Sequence, residues 1–200
     1  MNSVKTVLGS VITFFFGLVI LLGCNGNPPV TINELNVETQ KDPDSKWILT
    51  ILNYESCCGS EYGTGLSHWG FTSKYYANRR PQTIEEAIRF FKRDFLGPAK
   101  QFPLGVRERV ADFYFNSGKQ PKLLLLYANR NISFETLRKN KLNSSLWEKN
   151  KKDILAKCNS TSFISAIDEA KIEYYKRVSI AKKNNAFALS WEKRVNMWKE

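Results

Sequence analysis

The sequence has one histidine, His68, and four cysteines with no Cys-x-x-Cys pair. A metal centre built on imidazole or paired thiolates is therefore not expected, and no cofactor is. A Cys-His nucleophile also lacks an evident third orienting group. There is no alternating apolar-polar run long enough to predict a strand, and no repeat, so the expected fold is mainly α. Acid is scarce: 19 Asp and Glu face 30 Lys and Arg, a formal charge of +11. Such a surface favours polyanions, whether nucleic acid, anionic lipid or anionic cell-wall polymers. What is plentiful is apolar and aromatic, 42% and 13% of 200 residues, ample for the core of one domain or one with a small appendage.

Location narrows the polyanions. Val7 to Gly23 is apolar except for Ser10 and Thr13, with Lys5 before it. At 17 residues the run is short for a membrane span and reads as a signal peptide. Its ending, Leu21-Leu22-Gly23-Cys24, resembles the lipobox of bacterial lipoproteins. The resemblance implies cleavage before Cys24, lipidation of its sulfur, and a mature chain anchored to a bacterial membrane, at the periplasmic face or cell surface. An uncleaved anchor helix is the plainer alternative. In either case the remainder is exported, nucleic acid is not an expected partner, and loss of Lys5 leaves +10.

Residues 24–46 read as a flexible tether, since Pro28, Pro29, Pro43, the asparagines and scattered charges leave little apolar periodicity. Export permits disulfides. Adjacent Cys57 and Cys58 make a strained ring, so a bridge from either one to Cys158 is the expected pairing.

Chemistry concentrates in Trp47 to Thr72. A short apolar helical run, Trp47 to Tyr54, delivers Glu55 to its end. A Gly-rich loop with Glu61 follows and closes on Trp69-Gly70-Phe71-Thr72, with room for a small hairpin in the Gly59–Phe71 stretch. Desolvation at the edge of an apolar helix disfavours a charged carboxyl, the state a general acid needs. A Glu at a helix C-terminus is, equally, most often a solvated surface residue. Beyond this stretch the pattern is helical. Thr83-Ile84-Glu85-Glu86 forms a capping box, and Ile84, Ala87, Ile88, Phe91 and Phe95 share one face. Asn116-Ser117-Gly118 stops the next helix, and Pro121 opens another. Residues 129–162 promise one or two weaker helices, Phe163 to Val178 a stronger one. Trp191, Val195 and Trp198 share a face at the C-terminus, reading as core.

These pieces together resemble the lysozyme-like glycoside hydrolases of family 108. That family's Glu-Gly-Gly-Tyr motif falls at Tyr54-Glu55-Ser56-Cys57-Cys58, and its Tyr-Gly-Ile-Thr step at Trp69-Gly70-Phe71-Thr72. Its Leu-Glu-Glu-Ala helix start is Ile84-Glu85-Glu86-Ala87, and its Asn-Ser-Gly helix end is Asn116-Ser117-Gly118. Its closing signature is Ser190-Trp191-Glu192-Lys193-Arg194-Val195-Asn196. Two departures stand out: the glycines after the acid are Ser56 and Cys57, and the Glu55–Gly70 spacing is about two residues short. The resemblance implies a catalytic part at 47–130 and a peptidoglycan-binding helical part at 131–200. It implies cleavage of the β-1,4 glycan of peptidoglycan, N-acetylmuramidase fashion, with Glu55 as general acid.

For the second carboxylate, proximity suggests Glu61, with Asp112 in reserve. Tyr62, His68, Trp69 and Tyr75 are candidates to stack on or hydrogen-bond sugar rings. A chitosanase-type glycosidase shares the acid and Gly-rich loop, but its cationic substrate would be repelled by this chain. An inert wall-binding lipoprotein and a structural lipoprotein that touches no glycan are the remaining readings.

Overall fold

The structure, a computed structural model, describes residues 30–56, 67–72, 76, 79–181 and 195–196. The fold is mainly α, as its pattern predicts. Contacts divide the chain into two compact units, Met1–Ile88 and Arg89–Glu200. The sequence suggests an internal boundary at 130/131; the observed division falls instead within the helix Ile84–Phe91.

The first unit opens with a 3-10 turn, Ile32–Glu34, then α1 (Val37–Lys41) and α2 (Ser45–Ser56). The tether expectation is therefore corrected for residues 30–46. Leu35 is buried, and the Asn53 side chain of α2 clamps Val30 at both ends: the Val30 N–H donates to Asn53 Oδ1 at 3.0 Å, and Asn53 Nδ2 donates to the Val30 carbonyl at 2.6 Å. The Glu34 carboxylate accepts the Thr31 N–H and hydroxyl at 2.6 and 2.7 Å, and these bonds hold it below its ordinary pKa. Polar side chains thus supply locally the order that apolar periodicity does not reveal. α2 buries Trp47, Ile48, Leu49, Ile51 and Leu52, each burial worth about 1.5–3 kcal/mol. Trp47 Nε1 is satisfied by Asp44 at 3.0 Å. Two short strands, β1 (Ser67–His68) and β2 (Phe71–Thr72), pair antiparallel. α3 (Ile84–Phe91) buries Ile84, Ala87, Ile88 and Phe91 of the predicted face; its fifth member, Phe95, falls past the helix end and is half-buried. Its cap differs from the predicted box in one bond: Thr83 accepts the Glu86 N–H, but the Glu86 carboxylate reaches past Thr83 to the Gln82 N–H at 2.8 Å.

In the second unit a π-helical turn, Lys92–Leu96, and a 3-10 turn, Gly97–Ala99, follow. Then come α4 (Leu104–Ser117), α5 (Pro121–Ala128), α6 (Phe134–Lys139), α7 (Ser144–Lys157) and α8 (Thr161–Ala181). Gly118 ends α4 in the left-handed conformation, φ 66°, and Pro121 opens α5, as expected. The core is the apolar run Leu123–Leu126 with Phe102, Val106, Val110, Phe113, Leu137, Trp147, Ile154 and Ile167.

Charge also runs through this core. Arg109 Nε lies 3.0 Å from both oxygens of Asp168, and Lys171 Nζ 2.8 Å from Asp112 Oδ2. Lys171 and Asp112 are both fully buried. Both pairs differ by 59 positions, and so do Gly105 and Ile164, which meet closely enough that a Cβ on Gly105 would stand 3.4 Å from Ile164 Cδ1. A constant offset means that α4 and α8 run parallel where they touch. Residues 105, 109 and 112 occupy one stripe of α4, opposite 164, 168 and 171. Desolvating each charge costs several kcal/mol, so extra bonds matter: Asn116 Nδ2 donates to Asp112 Oδ1 at 2.9 Å, and Arg109 Nη1 to the Gly105 carbonyl at 2.9 Å. Among the described residues no helix is long and apolar enough to cross a membrane.

Candidate functional site

The site builds from α2 outward. Its apolar face ends at Leu52, and the last turn, Asn53, Tyr54 and Glu55, is half-buried. Glu55 lies one residue from the helix end, where unpaired carbonyls and the negative end of the macrodipole oppose a further negative charge.

Along the chain the next described element is the hairpin. Ser67 pairs with Thr72 and His68 with Phe71, leaving Trp69-Gly70 as a two-residue turn. Both turn residues have positive φ, 48° and 81°, the pattern of a type I′ turn, whose twist matches that of paired strands. Glycine suits this conformation. A tryptophan there costs about 1–2 kcal/mol. The strain is held by the β-bridge on one side and by Phe71 on the other: Phe71 is fully buried and takes Tyr76 edge-on, centroids 5.0 Å apart. Strain of this kind, fixed by its surroundings, collects at binding sites, and here it presents a half-buried indole at a hairpin tip. The sequence places Trp69 as a candidate without any sign of its backbone geometry; the glycine that follows it is the one signal from which a two-residue turn could have been read.

The remaining candidates fare differently. Glu61, Tyr62 and Tyr75, the lipidation candidate Cys24, and Cys57 and Cys58 lie outside the described residues, as do Trp191 and Trp198. His68 lies on β1 beside the turn. Asp112 is corrected: wholly buried and bound to Lys171 and Asn116, it has no face left with which to activate water. The expected bridge to Cys158 is corrected too. Cys158 is a free, buried thiol at the end of α7, and burial pushes its pKa up. Neither buried ion pair was foreseen, although charges three apart on otherwise apolar helix faces were legible in both α4 and α8.

A cleft of about 300 Å³ opens in the second unit, lined by Asn129, Arg130, Lys157, Ser160, Ser162 and Phe163 among others. None of these is a predicted site residue. One of its two cations, Lys157, is already bonded to Asp153 and Asn129 at 2.7 and 2.9 Å. Among the described residues no group of three or more His, Cys, Asp or Glu is arranged to hold a metal ion. No protein-family model matches the chain, and neither does any curated protein or solved structure.

Proposed function

We propose that this chain is a lipid-anchored peptidoglycan hydrolase of lysozyme-like layout, exported and held at a bacterial membrane through Cys24. Its substrate is the β-1,4 glycan strand, and Glu55 is the general acid. The observation that carries the reading is the succession from α2 to the hairpin: a half-buried carboxyl at the end of an apolar helix, then a strained turn offering an aromatic ring. In this mechanism Glu55 gives its proton to the leaving glycosidic oxygen while the sugar gains oxocarbenium character. Glu61 activates water or stabilises that charge, and Trp69 stacks on a sugar face, with Tyr62, His68 and Tyr75 as further sugar contacts. The positive charge of the chain favours an anionic wall.

One observation favours a second reading. With Asp112 locked in the core and both motif glycines replaced, the chain fits an inert wall-binding lipoprotein that keeps the platform without the chemistry. A single experiment separates the two. Purified protein is mixed with sacculi, and both sedimentation and released reducing ends are measured for the wild type and Glu55→Gln. The hydrolase reading expects release from the wild type and a loss of at least about 10²-fold in the variant, with unchanged circular dichroism. A variant that still cleaves removes Glu55 from the role. Co-sedimentation without release by the wild type establishes the inert binder, and a result with neither sedimentation nor release removes both readings.

A further inference from the structure

Charge is divided unevenly between the two units. Residues 1–88 carry 6 Lys and Arg against 8 Asp and Glu, a formal −2; residues 89–200 carry 24 against 11, a formal +13. The excess is densest in residues 119–157, with 10 basic and 3 acidic residues. Some of these cations are committed: Lys157 to Asp153, Lys151 to Glu148, Arg130 to Glu173.

Five others are gathered by the fold, one of them, Arg138, itself paired with Glu135. The turn between α4 and α5 is stitched to the end of α6 by three bonds. The Gln120 N–H donates to Asn140 Oδ1 at 3.1 Å, Asn140 Nδ2 to the Gly118 carbonyl at 3.0 Å, and Lys119 Nζ to the Arg138 carbonyl at 2.8 Å. This brings Lys119 beside Arg138 and Lys139, with Lys141 next along the chain. Lys122 stands at the same end, its ammonium 5.2 Å over the Trp147 ring. The acid in the group is Glu135, bonded to Arg138 at 2.9 Å. Burial, and after it the neighbouring Arg138 charge, hold the Lys119 pKa below its ordinary value.

The chemistry of the cluster selects its partner. Four of the five cations are lysines, compact charges without the planar fork that reads one phosphate bidentately. The ring beneath Lys122, Trp147, is buried and offers no face to a nucleobase. A cluster of this kind suits a plane of many phosphates. On the Cys24 reading the chain as a whole is held at such a plane. With residues 30–46 folded, only residues 24–29 separate the proposed lipid from Val30, and six residues span at most about 20 Å.

We propose that Lys119, Lys122, Arg138, Lys139 and Lys141 form a docking surface for anionic phospholipid headgroups, a second membrane contact beside the lipid at Cys24. Choosing a bilayer over a soluble polyanion rests on the Cys24 reading; the hydrolase reading plays no part. The test partitions the full chain onto phosphatidylcholine vesicles with and without phosphatidylglycerol. The ratio of the two affinities cancels whatever the N-terminus contributes to both.

Each lysine near an anionic surface contributes roughly 5-fold, so replacing Lys119, Lys122, Lys139 and Lys141 with Gln lowers the ratio at least about 30-fold. Lys139→Gln with Lys141→Gln, two exposed sites that no fold contact needs, lowers it about 25-fold. Arg at the same four positions preserves it. Neutralising Lys100, Lys149, Lys152 and Lys176 instead changes it less than about 3-fold. The proposal is overturned if the exposed double variant keeps the wild-type ratio, or if the second set lowers the ratio as much as the first, which would make net charge the cause. It is also overturned if a soluble glycerol-phosphate polymer binds the wild type and anionic vesicles do not.

Discussion

The two units are built on different terms. In Met1–Ile88 the described residues hold together by local polar devices around one apolar helix: the Asn53 clamp on Val30, the Thr31–Glu34 turn and a two-residue hairpin. In Arg89–Glu200 five helices share an apolar core crossed by two buried ion pairs. The first carries −2 and the second +13. Every residue proposed for chemistry lies in the first, and the densest cationic surface lies in the second. The proposed site is carried by short elements and turns, whereas the cationic surface stands on a helical bundle.

The strongest way to break this contrast is to attack the buried charge. Lys171→Met leaves the Asp112 carboxylate without its cation in a site closed to water. We expect a loss of about 3–5 kcal/mol, read as a lower urea midpoint. Replacing Asp112 with Leu in the same chain restores most of it, because a buried pair exchanged for apolar side chains is often neutral. If the single substitution costs under about 1 kcal/mol, the pair is not the cross-brace described and the second unit stands on its apolar core alone.

The same pairs show how far sequence carries. Helix ends were legible where one residue dictates them: Gly118 because only a residue tolerant of positive φ ends α4 that way, and Pro121 because its missing N–H is harmless in a first turn. The apolar face of α3 was legible from its period. Asp112 was misread because an acid in sequence looks available, and only its partner on a helix 59 residues away shows that it is spent. Residues 30–46 were misread for the opposite reason. Their order comes from side chain to backbone bonds, which leave no apolar period. In the candidate site the acid and the tryptophan were legible as residue types. The turn strain at Trp69 was not, since φ follows from the bridge between His68 and Phe71.

A middle-sized effect separates strain from function in the first unit. Trp69→Asn puts an Asn-Gly pair into a type I′ turn, the sequence such turns prefer. Stability should hold or rise by up to about 1 kcal/mol, while affinity for sacculi falls about tenfold through loss of the ring. Thermal unfolding and sedimentation, measured on the same samples, check the two halves. Should stability fall with affinity unchanged, the indole is a packing residue and the platform assignment fails.

The smallest effect tests how the first described segment of the first unit is held. Asn53→Ala removes both bonds to Val30, which are half-buried and together worth about 1 kcal/mol net. That is a small part of the stability of a domain but a large part of what holds a segment with so little apolar burial. Amide exchange should therefore quicken by up to about fivefold in residues 30–35 while the Leu123–Leu126 core keeps its protection. If exchange in residues 30–35 is unchanged, the clamp is not what orders this segment, and the buried Leu35 holds it instead.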